Sequence, residues 1–167
     1  GVDFHRRAGD REQAIGLKVW SWNRPIPLSE RVPVLENMGF KVVDERTYQI
    51  DRNSDGLPDV WFHDMLLERA DTRTVDLAPN KSGLEAAFLA VMSGGAENDG
   101  YNALVLVAGL GWRDVALLRA FSRYLRQALV PFSQDYMWAT LRKHAPLARQ
   151  IVEMFYARFD PRVGDDR

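Results

Sequence analysis

Four groups of residues have types and spacings that could do chemistry. Asp51, Asn53, Asp55 and Asp59 place oxygen-bearing side chains at positions 1, 3, 5 and 9 of a short segment, with Gly56 at position 6. That pattern suits a hard cation such as calcium, but position 12 is Phe62, so the bidentate carboxylate of an EF-hand is missing. The plainer reading is a polar hairpin turn, for which Asp, Asn, Gly and Pro are the ordinary residues. Gly109-Leu110-Gly111 follows an apolar run and invites a dinucleotide reading. The fingerprint needs a third small residue where Asp114 stands, and an acid there repels pyrophosphate. A helix break before Trp112 is favoured. His5, His63 and His144 lie far apart, and although His63 adjoins Asp64, neighbours on a strand point to opposite faces. Structural roles are favoured for all three. Arg119, Arg123 and Arg126 form a row on one helix that could hold a phosphate, a carboxylate or an acidic partner, or be simply its solvated side. No catalytic, cofactor-binding or metal-ligating residue is assigned from these patterns.

Composition narrows the classes further. The 167 residues are 46% apolar and 27% charged, which fits one domain, or two small ones packed together, and excludes a disordered chain. With 22 basic against 23 acidic residues, the net charge of −1 argues against nucleic acid as a partner. No apolar run reaches the ~20 residues of a membrane span, and the polar first residues do not read as a signal peptide. The absence of cysteine removes disulfides, thiolate metal sites and thiol nucleophiles, and suits a cytoplasmic setting.

The elements that must position these groups divide near residue 70. Residues 17–22 read as a strand with large rings on one face, stopped by the Pro25-Ile26-Pro27 loop. A helix follows, with Ser29 as its N-cap, Leu28, Val32, Leu35 and Met38 as its apolar stripe, Pro33 near its first turn and Gly39 as its stop. Residues 40–50 and 60–67 read as the two strands of a hairpin. Beyond residue 80 the periodicity is helical. Ser82 to Glu85 fits a capping box for a helix ending at Gly94-Gly95, whereas residues 101–108 are compatible with either a buried strand or a short helix. Val115, Leu118, Phe121, Leu125 and Leu129 make one stripe of a helix over 112–129. Ser133 caps another, with Phe132 and Met137 as a hydrophobic staple. Pro146 opens a last helix carrying Leu147, Ile151, Met154 and Phe155. The fold class is α+β: an antiparallel sheet with a β-α-β-β start, then a mostly helical half. The helices are expected to cover the rings of Trp20, Trp22, Trp61 and Phe62.

Several long motifs add a resemblance. The segment PLSERVPVLENMGFKV at residues 27–42, VWFHD at 60–64, NALVLVAGLGWR at 102–113, LRAFSRYLRQ at 118–127 and RFDP at 158–161 closely resemble, in this order, part of the very large bacterial NAD-specific glutamate dehydrogenases. The resemblance implies a fragment lying upstream of a catalytic domain. It implies a flexible lead-in over 1–16, an ACT-like, ferredoxin-like module over 17–80, a helical motif over 81–161 packed on it, and a tail over 162–167. Residues 81–94 and 101–108 would supply the second helix and last strand of that module. Pro25-Ile26-Pro27-Leu28 stands where ACT domains place a Pro-Gly-Leu turn. The implied parent oxidises L-glutamate to 2-oxoglutarate and ammonia with NAD, while the fragment holds no cofactor and contributes regulation or assembly. The implied partners are the rest of the parent polypeptide, a second copy and an amino-acid effector, with neither nucleic acid nor membrane. The alternatives are a free-standing ACT-type sensing module acting on a partner enzyme, and a calcium-dependent adaptor using the Asp51 loop.

Overall fold

A computed structural model describes residues 1–52, 56 and 58–162. Strand β1 (Val2–His5) is followed by β2 (Ala14–Trp22), α1 (Leu28–Asn37), β3 (Phe40–Ile50) and β4 (Val60–Arg69). The second half holds α2 (Leu77–Met92), a 3₁₀ turn over Gly100–Asn102, α3 (Ala103–Ala108), α4 (Trp112–Gln127), α5 (Gln134–Lys143) and α6 (Ala145–Phe159). The four strands form one antiparallel sheet in the order β1-β2-β4-β3. This is the α+β class and the β-α-β-β start that the pattern predicts.

The edge beside β2 is filled from an unexpected place. Residues 101–108 are helical, so they supply no last strand. Val2–His5 pairs antiparallel with β2 instead, with Val2 opposite Val19 and Phe4 opposite Leu17. The lead-in expected over residues 1–16 is therefore structured at its start. Val2 and Phe4 alternate with Asp3 and His5, and this two-residue period turns Phe4 into the core, where it is fully buried.

Strand parity decides which rings are covered. Ile15, Leu17, Val19, Met65, Leu67 and Phe40 point inward and pack with Leu35, Met38, Leu84, Phe88, Tyr101 and Leu104 in one continuous core. Trp20, Phe62 and Tyr48 stand opposite one another on three adjacent strands, with ring centroids 5.5 and 6.0 Å apart. They occupy the other face of the sheet. Trp22 shares that face and stays 57% exposed, so of the four rings expected under the helices only Trp61 has inward parity.

Helix starts differ from the sequence reading in two places. α1 begins at Leu28 with Pro27 as N-cap, and Ser29 makes no cap; Arg31, Val34 and Leu35 are its buried residues, while Leu28 is exposed. Pro33 sits inside α1, exposed on its outer side, and Gly39 ends the helix with φ +94°. α2 starts at Leu77, five residues before the Ser82 box, because Pro79 falls in its first turn, where a missing N–H costs nothing. Glu85 is used elsewhere: its Oε1 accepts the backbone N–H of Phe4 at 3.1 Å, tying α2 to β1. Ser133 does cap α5, accepting from the Tyr136 N–H, and Pro146 lies in the first turn of α6. The outer ends of two apolar stripes are open to solvent, namely Leu125 and Leu129 near the end of α4, and Leu147 and Met154 on α6, which buries Ala148 and Val152 instead. Among the described residues no helix is long and apolar enough to cross a membrane.

Candidate functional site

The most concentrated polar chemistry lies between α1 and the sheet. Arg31 belongs to the stripe that also carries Leu35 and Met38, so folding α1 onto the sheet takes its guanidinium out of water. Its Nη2 donates to Glu45 Oε1 at 2.5 Å. Glu45 and Thr47 are on the inward face of β3, and His63, opposite Thr47 on β4, is fully buried. The backbone N–H of Ile26 donates to His63 Nε2 at 3.2 Å, which places the ring proton on Nδ1. Nδ1 meets Thr47 Oγ1 at 2.7 Å, and the Thr47 hydroxyl donates to Glu45 Oε1 at 2.5 Å. A single relay thus runs from the proline-rich loop through His63, Thr47 and Glu45 to Arg31.

Burial pushes the His63 pKa below its ordinary value, helped by the Arg31 cation and opposed by Glu45. Burial likewise draws the Arg31 pKa down, against the pull of Glu45. Arg31 Nε, Arg31 Nη1 and Trp61 Nε1 are buried donors without an acceptor among the described residues. The sequence reading passes over Arg31 and names Val32 in the stripe. The available signal was an arginine at i−4 and i−7 from Leu35 and Met38.

A second network joins the helices. Arg119 on α4, predicted as one of a solvated row, is 4% exposed. Its Nε and Nη2 grip Asp99 at 2.7 and 2.9 Å, and Nη2 also donates to Asn102 Oδ1 at 2.9 Å. Asp99 caps the 3₁₀ turn by accepting the Tyr101 N–H at 3.1 Å. One turn further along α4, Arg123 pairs with Glu97 at the surface. Two of the three arginines are therefore occupied by carboxylates of the preceding loop, and Arg126 is exposed.

The other sequence candidates are placed elsewhere in the fold. Gly109 ends α3 in the left-handed region with φ +63°, and Gly111 is the N-cap of α4. Asp114 accepts the Gly111 N–H at 3.1 Å and the Tyr156 hydroxyl at 2.8 Å, which raises the Tyr156 pKa. Gly109 to Gly111 thus form a helix break at the joint between α3, α4 and α6, with the Asp114 carboxylate at the start of α4. His63 and Asp64 do point to opposite faces, and Asp64 takes Arg7 at 2.5 Å on the outer one. His5 lies over Gly16 on β2, and His144 sits at the α5–α6 junction. Asn53 and Asp55 of the cation pattern lie outside the described residues; Asp59 accepts from Gln49 Nε2 at 2.8 Å, across the base of the hairpin. Among the described residues no group of three or more His, Asp or Glu is placed to hold a metal.

Comparison with known proteins matches residues 1–79 to the glutamate dehydrogenase ACT3 domain and residues 96–161 to the glutamate dehydrogenase helical motif 3. The two follow one another along the chain, as the sheet and the helical half do. The chain belongs to the glutamate dehydrogenase family. It is 36% identical over 160 residues to the NAD-specific glutamate dehydrogenase of Halomonas elongata, covering 96% of this chain. Its counterparts in Pseudomonas aeruginosa and Mycobacterium tuberculosis are 39% and 37% identical over 158 residues, covering 95% and 90% of it. In each case the chain spans only 10% of the relative's length. Within this family segment, the Arg31 relay belongs to the ACT3 part and the Arg119–Asp99 pair to helical motif 3.

Proposed function

We propose that the chain is an assembly and regulatory segment of a cytoplasmic NAD-dependent glutamate dehydrogenase, and that the chemistry lies elsewhere in that polypeptide. The reaction of the whole enzyme would convert L-glutamate, NAD and water to 2-oxoglutarate, ammonia and NADH. One observation carries the reading. The two buried charged networks, Arg31–Glu45 and Arg119–Asp99, spend their carboxylates on holding elements together. Lys18, Lys41, Lys81 and Lys143 are the only lysines, and Lys81 is engaged by Asp3 at 2.5 Å.

The regulatory half of the proposal rests on the spare donors of Arg31, which suit an acceptor such as the carboxylate of an amino-acid effector. The test has two arms. The 167-residue chain, given glutamate and NAD, should form no NADH above background. The full-length enzyme carrying Leu35→Asp, which places a charge in the core of this segment, should lose its native assembly by sedimentation or its response to amino acids. Sustained turnover by the isolated chain, or a full-length variant unchanged in both assembly and response, would overturn the reading.

A further inference from the structure

The helical half leaves an apolar groove that its own helices do not fill. It measures 430 Å³ and is lined by Leu118, Phe121 and Leu125 of α4, Phe132 and Tyr136 around the start of α5, and Ile151 of α6. Leu125, Phe132 and Tyr136 are exposed along it, with the Phe132 and Tyr136 rings stacked at 4.9 Å. An apolar surface of this kind on a water-soluble fold marks a place where something docks.

Leu129, one residue from the groove-lining Val130, strengthens the point. It stands where α4 ends, in the left-handed region with φ +62°, and is 89% exposed. Glycine is the residue that this backbone conformation favours at a helix end, and a large side chain there is strained. Within these 167 residues the leucine gains almost no burial in return. Its side chain gains a use only if it is covered from outside.

The chemistry of the lining selects the kind of occupant. A small-molecule pocket keeps a few convergent polar groups to orient its ligand. Here the Ser122 hydroxyl donates to the Leu118 carbonyl at 3.0 Å and the Thr140 hydroxyl to the Tyr136 carbonyl at 2.8 Å, so both are turned back onto their own helices. What remains suits apolar side chains presented at helical spacing, the way a helix lies in a groove. The relatives in which this segment occurs are ten times its length, so the partner surface is at hand in the same polypeptide.

We propose that the groove between α4, α5 and α6 seats the apolar face of a helix from another part of the full-length dehydrogenase, with Leu129 buried beneath it. The proposal rests on the assembly reading above and names the surface that performs it.

The chain has no cysteine, so Leu129→Cys introduces a single thiol. Its maleimide labelling is followed in the 167-residue chain and, by site-resolved mass spectrometry, in the full-length enzyme, each relative to the denatured protein. The expected result is labelling near the denatured rate in the short chain and slower by about tenfold or more in the full-length enzyme. Leu129→Gly adds a second readout. It should keep or raise the melting temperature of the short chain, since glycine accepts the left-handed backbone, and lower that of the full-length enzyme.

Equal labelling in both proteins would overturn the proposal while leaving the family reading intact. Protection in the short chain that grows with its concentration would assign the groove to a second copy, and protection relieved by solvent extraction would assign it to a bound apolar molecule; either result overturns it. A natural reading frame that ends with these 167 residues would remove the proposal together with the assembly reading on which it stands.

Discussion

The backbone N–H of Ile26 ends on Nε2 of His63, 3.2 Å away, so the loop between β2 and α1 is held by a ring that must stay neutral to accept it. The unfolded chain carries no such constraint and protonates this histidine near 6.5, whereas burial and Arg31 lower the value in the fold. Below 6.5 the unfolded state binds more protons than the folded one, so stability is lost as pH falls toward the depressed folded value. Above 6.5 this contribution is complete. Melting curves between neutral and mildly acidic pH should show the loss. His63→Gln, which offers an uncharged acceptor, should flatten that part of the profile, and an unchanged slope in the variant would contradict the assignment.

Arg119 and Arg123 lie one turn apart on α4, yet their removal should differ sharply. Arg119 is buried with both Asp99 and Asn102 as partners, so Arg119→Ala leaves a half-buried carboxylate and the 3₁₀ turn without their cation. Breaking such a pair costs about 3–5 kcal/mol. Lysine should recover little, because it cannot reproduce the two-point contact with Asp99. The Arg123–Glu97 pair is half-exposed on both sides and screened by solvent, so Arg123→Ala should cost far less than Arg119→Ala. Urea denaturation of the three variants would check the ranking.

The contrast also shows what a sequence can carry. The three arginines are visible as a row, but helical spacing does not reveal that the loop bearing Glu97 and Asp99 folds back over only part of it. The β3–β4 hairpin is legible because eleven residues of strand pattern, a polar turn and a second strand pattern all agree. β1 is four residues long, and its value lies wholly in pairing with β2, which local pattern does not encode. Ser82 and Glu85 imitate a capping box, yet Glu85 is needed by Phe4, from the far end of the chain. Arg31 was hidden for the opposite reason: the rule that charged residues stay outside is sound on average, and Glu45 makes the exception here.

Two glycines test how tightly the fold is packed. A Cβ on Gly100 would come within 2.5 Å of the Trp138 ring, and that ring stacks edge-on against buried Tyr101 at 5.8 Å. Moving the indole away from the new methyl would disturb this contact. Gly100→Ala should therefore destabilise the chain by about 1–3 kcal/mol. Gly16→Ala would meet His5 at 2.5 Å as well, but His5 belongs to a short edge strand and its ring can swing outward. A smaller loss is expected there, and equal losses in thermal melts would argue against the packing described for Trp138.

The last prediction concerns whether the sheet and the helices are one folding unit. The core has no seam at residue 80: Leu84 and Phe88 of α2 are buried with Phe4, Leu17 and Phe40, and Leu106 of α3 approaches Gly39 at the end of α1. Glu85 and Lys81 also hold β1, by its backbone and by Asp3. Removing everything after Ala70 would uncover the inward face of the sheet, and each large apolar side chain so exposed forfeits roughly 1.5–3 kcal/mol. Total stability of a domain is only about 5–15 kcal/mol, so the loss of a few such contacts is enough to abolish the fold. The 1–70 piece should aggregate or bind a hydrophobic dye, and in the whole chain Leu84→Ala should cost about 2–5 kcal/mol and lower a single cooperative transition. A soluble 1–70 piece with its own cooperative melt would mean that the ACT3 part stands alone. The helical motif would then be a separate body resting on it.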